Sequence, residues 1–213
     1  MIALVDYGAG NLTSVRKALN ALGAEFLVPS SPAQISNVRA LIVPGVGHFA
    51  ATSRLRGEWT NAIAAAVRRG TPLLGICVGM QWLFEGSEEA PDVPGLGVMP
   101  GRIARLASDP AHRLKVPHVG WNALDVRGPA RLLDGLTSGS QVYFTHSYAA
   151  PVTPECVAAT THANTFASVV ERENVFGVQF HPEKSGEAGL RILRNFLALA
   201  PSPLLESAEG RRC

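Results

Sequence analysis

Short apolar segments alternate with helical segments through the first half of this 213-residue chain, and this alternation constrains its fold most strongly. The apolar segments, which are typical of buried strands, are residues 2–6, 25–28, 40–45 and 71–77. Residues 12–22 and a stretch around 58–69 have the composition and spacing of helices. Strands that alternate with helices predict an α/β protein with a mainly parallel central sheet and helices flanking it.

The second half of the chain has a different character. Strand-like segments follow one another with little helix between them, at 97–106, 115–126, 140–150, 155–161, 166–173 and 175–182. We predict that they add antiparallel strands to the same sheet, and that an amphipathic helix over 186–200 closes the fold. No linker or repeat divides the chain, so we predict one domain over 1–200 and a poorly ordered tail over 201–213.

Charge and cysteine content limit the classes of function. The net charge is +2 and the basic residues are scattered, which argues against a nucleic-acid or anionic-membrane partner. Cys77, Cys156 and Cys213 cannot form a complete set of disulfides, as is typical of a reducing compartment. No signal peptide opens the sequence, and no apolar run approaches the ~20 residues that span a bilayer. The predicted location is the cytoplasm.

A cysteine with a glycine two residues away on each side ends the strand at 71–77. The pattern G-x-C-x-G, residues 75–79, is the cysteine form of the strand–turn–helix elbow that exposes a nucleophile. The alternative is packing, because a free cysteine often behaves as a small buried apolar residue. The motif is too short to decide between the two readings.

His181 is the best placed of the six histidines to act as a base for Cys77. Pro182 favours an extended backbone at His181, and residues i and i+2 of an extended chain project to the same side, so Glu183 can lie beside the imidazole. In open α/β sheets the reactive crevice lies beyond the carboxyl ends of the strands, where Cys77 and His181 are both expected. An imidazolium there would favour the nucleophilic thiolate. The alternative is a surface turn with incidental charges.

The sequence PGVGHF, residues 44–49, ends the strand that begins at residue 40. Gly45 and Gly47 allow the peptide at 46–47 to approach a ligand closely and to rotate. One N–H from Val46 or Gly47, with the N–H of Val78, would form an oxyanion hole. The segment also matches the dinucleotide pattern G-x-G-x-x-A, but no acidic residue follows about 20 positions later to hold a ribose. Metal-binding patterns are missing as well, so we predict no cofactor and no metal.

Six blocks of sequence together resemble the class I (triad) glutamine amidotransferases. They are DYGAGN (6–11), PGVGHF (44–49), GICVGMQ (75–81), PHVGWN (117–122), YFTHSY (143–148) and QFHPEKS (179–185). Within that family they are most similar to the glutaminase subunits of imidazole glycerol phosphate synthase. Val78 stands where those subunits commonly carry leucine, a small departure because only the backbone N–H is used.

The resemblance implies a fold, an activity and a set of site residues. Cys77 would attack the carboxamide of L-glutamine, His181 would transfer the proton and Glu183 would orient His181. Substrate would be held by Val46, Gly47, Val78, Gln81, Thr145, His146 and Ser147. Ammonia would pass to a (β/α)₈ cyclase subunit in a heterodimer, through an interface that contains Asn11, Trp121, Tyr143 and Lys184. The partner would also activate the glutaminase.

Three other interpretations stay open from the sequence. The first is an amidotransferase subunit for anthranilate, GMP or pyridoxal phosphate synthesis, which the blocks PHVGWN and QFHPEKS disfavour. The second is an α/β cysteine hydrolase that does not use glutamine, in which Gln81 has no assigned task. The third is a binding subunit without catalysis, which the intact Cys77, His181 and Glu183 disfavour. Core packing is the alternative for Trp121.

Overall fold

The computed structural model describes residues 1–201. The tail predicted to be poorly ordered falls, apart from Pro201, outside the described residues, and so does Cys213. Among residues 1–201 no helix is long and apolar enough to cross a membrane.

The described chain contains strands β1 to β14, helices α1 to α4 and three short 3₁₀ helices. The strands are β1 Ile2–Leu4, β2 Phe26–Leu27, β3 Ala40–Gly45, β4 Leu73–Cys77, β5 Gly86–Ser87, β6 Ala90–Pro94, β7 Ala104–Arg105, β8 His118–Ala123, β9 Asp125–Val126, β10 Gln141–His146, β11 Tyr148–Ala149, β12 Cys156–His162, β13 Asn164–Arg172 and β14 Val175–Val178. The helices are α1 Leu12–Ala21, α2 Glu58–Arg68, α3 Val78–Trp82 and α4 Gly186–Leu199, and the 3₁₀ helices are Pro32–Ile35, Phe49–Leu55 and Pro182–Lys184.

Eight strands form the central sheet, in the order β2-β1-β3-β4-β14-β13-β12-β9. The pairs from β2 to β14 are parallel, whereas β13, β12 and β9 continue the sheet with antiparallel pairs. The predicted α/β class, with a mainly parallel sheet and antiparallel additions in the second half, is confirmed. Strand β3 has the bounds that the sequence indicated.

Part of the second half does not join this sheet, and here the sequence-based prediction was wrong. Strands β8 and β10 pair with each other, as do β7 with β11, in separate two-stranded sheets. A third two-stranded sheet, β5 with β6, lies in residues 86–94, for which no strand was predicted. The physical difference is one-sided burial: alternate residues of β10 are buried, whereas every residue of β4 is buried. A strand that is buried on one face can pair outside a sheet that is covered by helices on both faces.

Alternate side chains of the parallel strands enter two apolar clusters on opposite faces of the sheet. Ile42 lies in one cluster with α1 and α4, and Val43 lies in the other with α2. Trp82 is buried in the second cluster and Trp59 packs against it. Helices on both faces leave the strand ends as the accessible edge, and β4 and β14, being neighbours, place their following residues side by side there.

Candidate active site

Cys77 stands at a sharp turn from strand to helix. It is the last residue of β4, and α3 begins at Val78. Its backbone has φ 54° and ψ −110°, a region that residues with a side chain rarely adopt and that costs on the order of 1–3 kcal/mol. Strain of this kind is typical of a nucleophile elbow.

The two glycines that flank Cys77 are required by contacts. A Cβ on Gly79 would lie 1.8 Å from the carbonyl oxygen of Val43, in the neighbouring strand β3. A Cβ on Gly75 would lie 2.5 Å from the carbonyl oxygen of Gly79. Both contacts are with backbone, which cannot move aside as a flexible side chain can. The G-x-C-x-G pattern therefore allows α3 to start against β3 and β4 and to hold Cys77 in place.

His181 and Glu183 form a buried ion pair at the same edge of the sheet. Nδ1 of His181 lies 2.8 Å from Oε1 of Glu183, and both side chains are 1% exposed. The predicted contact is present, but the backbone reaches it differently. His181 is extended, with φ −100° and ψ 95°, whereas Glu183 lies in the 3₁₀ helix Pro182–Lys184.

The positive charge on His181 is stabilised by Cys77 and by Glu183. Burial alone would lower its pKa, but hydrogen bonding and charge interactions with Cys77 and Glu183 outweigh burial and raise the pKa to about 10. Nε2 of His181 has no hydrogen-bond partner of ordinary geometry in the structure and is buried. His181 is therefore held as an imidazolium, with Nδ1 engaged and Nε2 left for the chemistry at Cys77.

A cavity of about 230 Å³ opens at Cys77. Its lining residues are Gly47, Cys77, Val78, Gln81, Glu89, Pro117, Thr145, His146, Ser147 and Tyr148. Every residue that the sequence indicated for substrate binding is among them, apart from Val46. Larger cavities exist, one of about 1060 Å³ between residues 105 and 116, but that one lacks a nucleophile next to a base.

The backbone N–H groups that the sequence indicated as oxyanion donors differ in their hydrogen bonding. Val78 is the first residue of α3, where the backbone N–H has no acceptor within the helix. The N–H of Val46 instead donates to the carbonyl oxygen of Ala9 at 3.1 Å. Gly47 has φ +87°, a left-handed conformation that favours glycine, and a Cβ at this position would meet open space.

Gly45 also has a packing reason to be a glycine, beside the rotation predicted for it. A Cβ at this position would lie 2.3 Å from Oη of Tyr7 and 2.8 Å from Cβ of Val78. Close packing therefore requires a glycine here. Burial and Cys77 together raise the pKa of Tyr7 above its ordinary value, so the phenol stays neutral.

Two polar side chains, one that lines the cavity and one buried behind Cys77, were not assigned to the site from the sequence. Glu89 lines the cavity and accepts the N–H of Phe49 on Oε2 at 2.7 Å. Gln179 is fully buried and accepts an N–H from Gln81 on Oε1 at 3.1 Å. Glu89 lies in a loop without a distinctive spacing, and Gln179 precedes the more conspicuous His181 by two positions.

Comparison with known proteins agrees with this arrangement. The family model described as glutamine amidotransferase class-I matches residues 3–200. This chain belongs to the class-I glutamine amidotransferase family. The resemblance predicted from the six blocks of sequence is therefore confirmed at the level of the family.

Relatives are similar to this amidotransferase along almost its whole length. The imidazole glycerol phosphate synthase subunit HisH of Deinococcus radiodurans is 46% identical over 206 residues, which are 94% of this chain and 95% of that protein. The subunit of the same name from Thermosynechococcus vestitus is 47% identical over 204 residues, 93% of this chain and 96% of its own. A crystal structure of a glutamine amidotransferase has a TM-score of 0.73 at 23% identity, covering 93% of this chain and 98% of its own. That last likeness concerns the fold alone.

Three histidines of the amidotransferase meet beside the cavity. Nδ1 of His118 lies 3.1 Å from Nε2 of His146, and the ring of His162 stacks on His118 at 4.2 Å. Burial, with added repulsion from His162, lowers the pKa of His118 to about 4. Burial also lowers the pKa of His146 to about 3, because it outweighs the hydrogen bond to the Tyr148 carbonyl, and the charges of His118, His162 and His181 add to that effect. His118 and His146 are therefore neutral near pH 7.

These two low pKa values make the fold sensitive to acid. In the unfolded chain both histidines would bind protons near pH 6.5, whereas in the folded chain they would not until pH 4 or 3. The free energy of unfolding should therefore fall as the pH drops below 6.5, by about 1–2 kcal/mol per histidine by pH 5. The stability that His181 contributes is lost at the other end, as the pH rises toward 10.

Urea unfolding between pH 7.5 and pH 4.5 measures this dependence. The variant His118→Gln should lose less stability over that range than the unaltered protein does, and the exposed His48→Gln should follow the unaltered protein. A free energy of unfolding that stays constant from pH 6.5 to pH 5 would contradict neutral burial of His118 and His146.

Three of the residues that the sequence assigned to an interface, Trp121, Tyr143 and Lys184, lie near one another on the surface of the amidotransferase. Trp121 is 57% exposed, so core packing does not account for it. It pairs across β8 and β10 with Tyr143, and Nζ of Lys184 lies 5.8 Å from the centre of the Tyr143 ring. Asn11 has a structural task as well, because its side chain caps α1 by accepting the N–H of Ser14.

Proposed function

We propose that this chain is the glutaminase subunit of an imidazole glycerol phosphate synthase. It hydrolyses L-glutamine to glutamate and ammonia and delivers the ammonia to a (β/α)₈ cyclase subunit. The observation that carries the glutaminase activity is the buried His181–Glu183 pair beside the elbow cysteine. The choice of pathway rests on relatives of that name that are 46% and 47% identical over nearly the full chain.

The reaction begins with the Cys77 thiolate and the His181 imidazolium. Sγ of Cys77 attacks the carboxamide carbon of glutamine, and Nε2 of His181 gives its proton to the leaving nitrogen, so that ammonia departs and a thioester remains. His181, now neutral, takes a proton from water as the hydroxide attacks the thioester. Collapse of the second tetrahedral intermediate releases glutamate and restores the thiolate. Glu183 keeps Nδ1 protonated and the ring in position throughout.

The cavity offers groups for the amino-acid part of the substrate. Nε2 of Gln81 donates one hydrogen bond to the Tyr148 carbonyl oxygen at 2.9 Å and a second to Oε1 of Gln179. Oε1 of Gln81 is therefore the atom that can accept a hydrogen bond from the substrate. Together with the Glu89 carboxylate, that oxygen suits the α-ammonium of glutamine. Thr145, His146 and Ser147 line the remaining wall and suit the α-carboxylate.

The surface around Trp121 suits the cyclase. Val119 and Trp121 are each 57% exposed, and a large exposed aromatic side chain beside another apolar one is typical of a protein interface. The complex would be a cytoplasmic heterodimer in which the partner forms imidazole glycerol phosphate and an aminoimidazole carboxamide ribotide. Ammonia would pass between the two sites without release.

The partner would also control the rate. With the Val46 N–H bound to Ala9, the tetrahedral intermediate has the Val78 donor but lacks the second one. Loss of one oxyanion donor typically costs about 10²–10³ in rate. In this proposal, the cyclase with its nucleotide ligand favours a state in which the Val46 N–H, part of the 45–46 peptide, has left Ala9 and turned toward Cys77, and it does so by binding that state more tightly.

Glutamate release tests both parts of the proposal. It should be slow for the free chain, faster with the cyclase, and about 10²–10³ times faster with the cyclase and its ligand. Lys184→Ala should reduce the stimulation roughly 5–10-fold with little change in the free chain, since an interfacial charge acts through the coupling. Arg68→Ala, which removes an exposed charge from α2 on the other face of the sheet, is the matched control.

The possible outcomes separate the two claims. A free chain as fast as the liganded complex would refute the control by the partner and leave the glutaminase intact. No glutamate from any combination would refute the glutaminase.

A further inference from the structure

We propose that Gln179 is a further catalytic residue, whose side-chain N–H stabilises the Cys77 thiolate and whose direction is fixed by Gln81. This inference rests on the proposed function in one respect, because it takes Cys77 as the nucleophile. Nε2 of Gln179 lies 3.8 Å from Sγ of Cys77, a distance that suits the large and weakly accepting sulfur atom.

The orientation of the Gln179 amide follows from its neighbours. Nε2 of Gln81 lies 2.9 Å from the carbonyl oxygen of Tyr148, which can only accept, so that side of the Gln81 amide must be the donor. The same Nε2 lies 3.1 Å from the Gln179 amide and must meet its oxygen. The N–H₂ group of Gln179 therefore points to Cys77, and the reversed orientation would place two N–H₂ groups against each other.

Burial keeps both amides in this orientation. Gln179 is 0% exposed and Gln81 is 3% exposed, so neither amide can exchange its partners for bulk water. Gln179 is not among the residues that line the cavity, so it approaches Cys77 from the protein interior and is not a substrate ligand. A buried polar side chain is retained at a cost unless it is hydrogen-bonded, and here one end of the amide is bonded to Gln81 and the other faces the nucleophile.

The N–H would act at two points of the reaction. It stabilises the thiolate before attack, and it stabilises the thiolate again as the leaving group when the thioester is hydrolysed. The N–H takes no part in the proton transfer, which stays with His181. A hydrogen bond from a neutral donor to a buried anion is worth a modest factor, so the expected effect is smaller than the loss of a triad residue.

The pH dependence of alkylation isolates this effect from substrate binding. The rate of iodoacetamide modification at Cys77, followed by peptide mass spectrometry, is measured from pH 5 to pH 10. Gln179→Met has a similar length and no N–H, so the midpoint of the profile should rise by about one pH unit. In glutamine hydrolysis the same variant should lower kcat about tenfold and leave KM nearly unchanged.

A second variant keeps the Gln179 amide in place. Gln81→Met removes the donor that fixes the orientation, so the alkylation profile should shift in the same direction by a smaller amount, even if Gln179→Met fails to fold. Gln141→Met, in an exposed position of β10, is the matched control and should not shift. Thermal unfolding verifies that each variant is folded.

Failure of this inference is distinguishable from failure of the proposed function. If the unaltered protein, Gln179→Met and Gln81→Met all react at Cys77 with the same dependence of alkylation rate on pH, the role of Gln179 alone is overturned. Unaltered protein that shows no reaction at Cys77 at any pH would overturn the nucleophile, and with it both proposals.

Discussion

Cys77→Ala is expected to reduce glutamine hydrolysis by a factor of about 10⁴–10⁶, to background. Without the thiolate no thioester forms, and the remaining groups cannot direct water to the carboxamide at a useful rate. His181→Ala should have an effect of similar size, because it removes the proton donor for ammonia. Glu183→Gln should leave a measurable rate, since an orienting carboxylate can often be lost at smaller cost than the nucleophile.

The control for this prediction is the reaction of the cyclase with ammonium salts. That reaction should survive Cys77→Ala, His181→Ala and Glu183→Gln, because ammonia from solution bypasses the glutaminase. Cys156→Ala replaces a buried cysteine in β12, and glutamine hydrolysis should persist in that variant. A Cys77→Ala protein that abolishes the ammonia-driven reaction would show that Cys77 is needed for the structure of the complex instead.

Gly79→Ala is expected to destabilise the protein by about 3 kcal/mol or more. The new Cβ would lie 1.8 Å from the Val43 carbonyl oxygen, so α3 must move away from β3 or the chain must stay partly unfolded. Movement of α3 also displaces Cys77 and the Val78 N–H, so hydrolysis should fall together with stability. Urea unfolding and glutamate release measure the two effects.

A matched substitution separates steric overlap from the general effect of replacing a glycine. Gly128 has no heavy atom within 4 Å of the position of a Cβ, so Gly128→Ala should change the free energy of unfolding by less than about 1 kcal/mol. If Gly79→Ala were as stable as Gly128→Ala, the close contact between α3 and β3 would be wrong.

The sequence predicted the parts of the fold that depend on local patterns. Residues 40–45 were recognised as a strand because they are apolar and end in a glycine, and the chain at Cys77 was recognised as an elbow from the spacing of Gly75 and Gly79. The separate pairing of β8 with β10 was missed, because an alternating pattern shows that one face is buried but not which sheet buries it. That information resides in tertiary packing.

The candidate site was likewise predictable only where it depends on local sequence. His181 and Glu183 are two positions apart, so their contact was predictable from spacing, although the chain makes it through a 3₁₀ helix and not through an extended segment. Gln179 and Glu89 could not be assigned, because their partners Gln81 and Phe49 lie 98 and 40 positions away and no local pattern specifies those pairs. The bond of Val46 to Ala9 joins two loops and was likewise inaccessible to sequence reasoning.

The insertion of β14 between β4 and β13 has a consequence for how activity arises during synthesis of the chain. Cys77 and His181 become neighbours only through the pairing of two strands that are about a hundred residues apart in sequence. A ribosome-bound chain that has not yet produced β14 carries the cysteine without its imidazolium or its Gln179 amide. If the proposed mechanism holds, such a chain cannot hydrolyse glutamine, and Cys77 becomes reactive only after most of the protein has been synthesised and β14 has paired with β4.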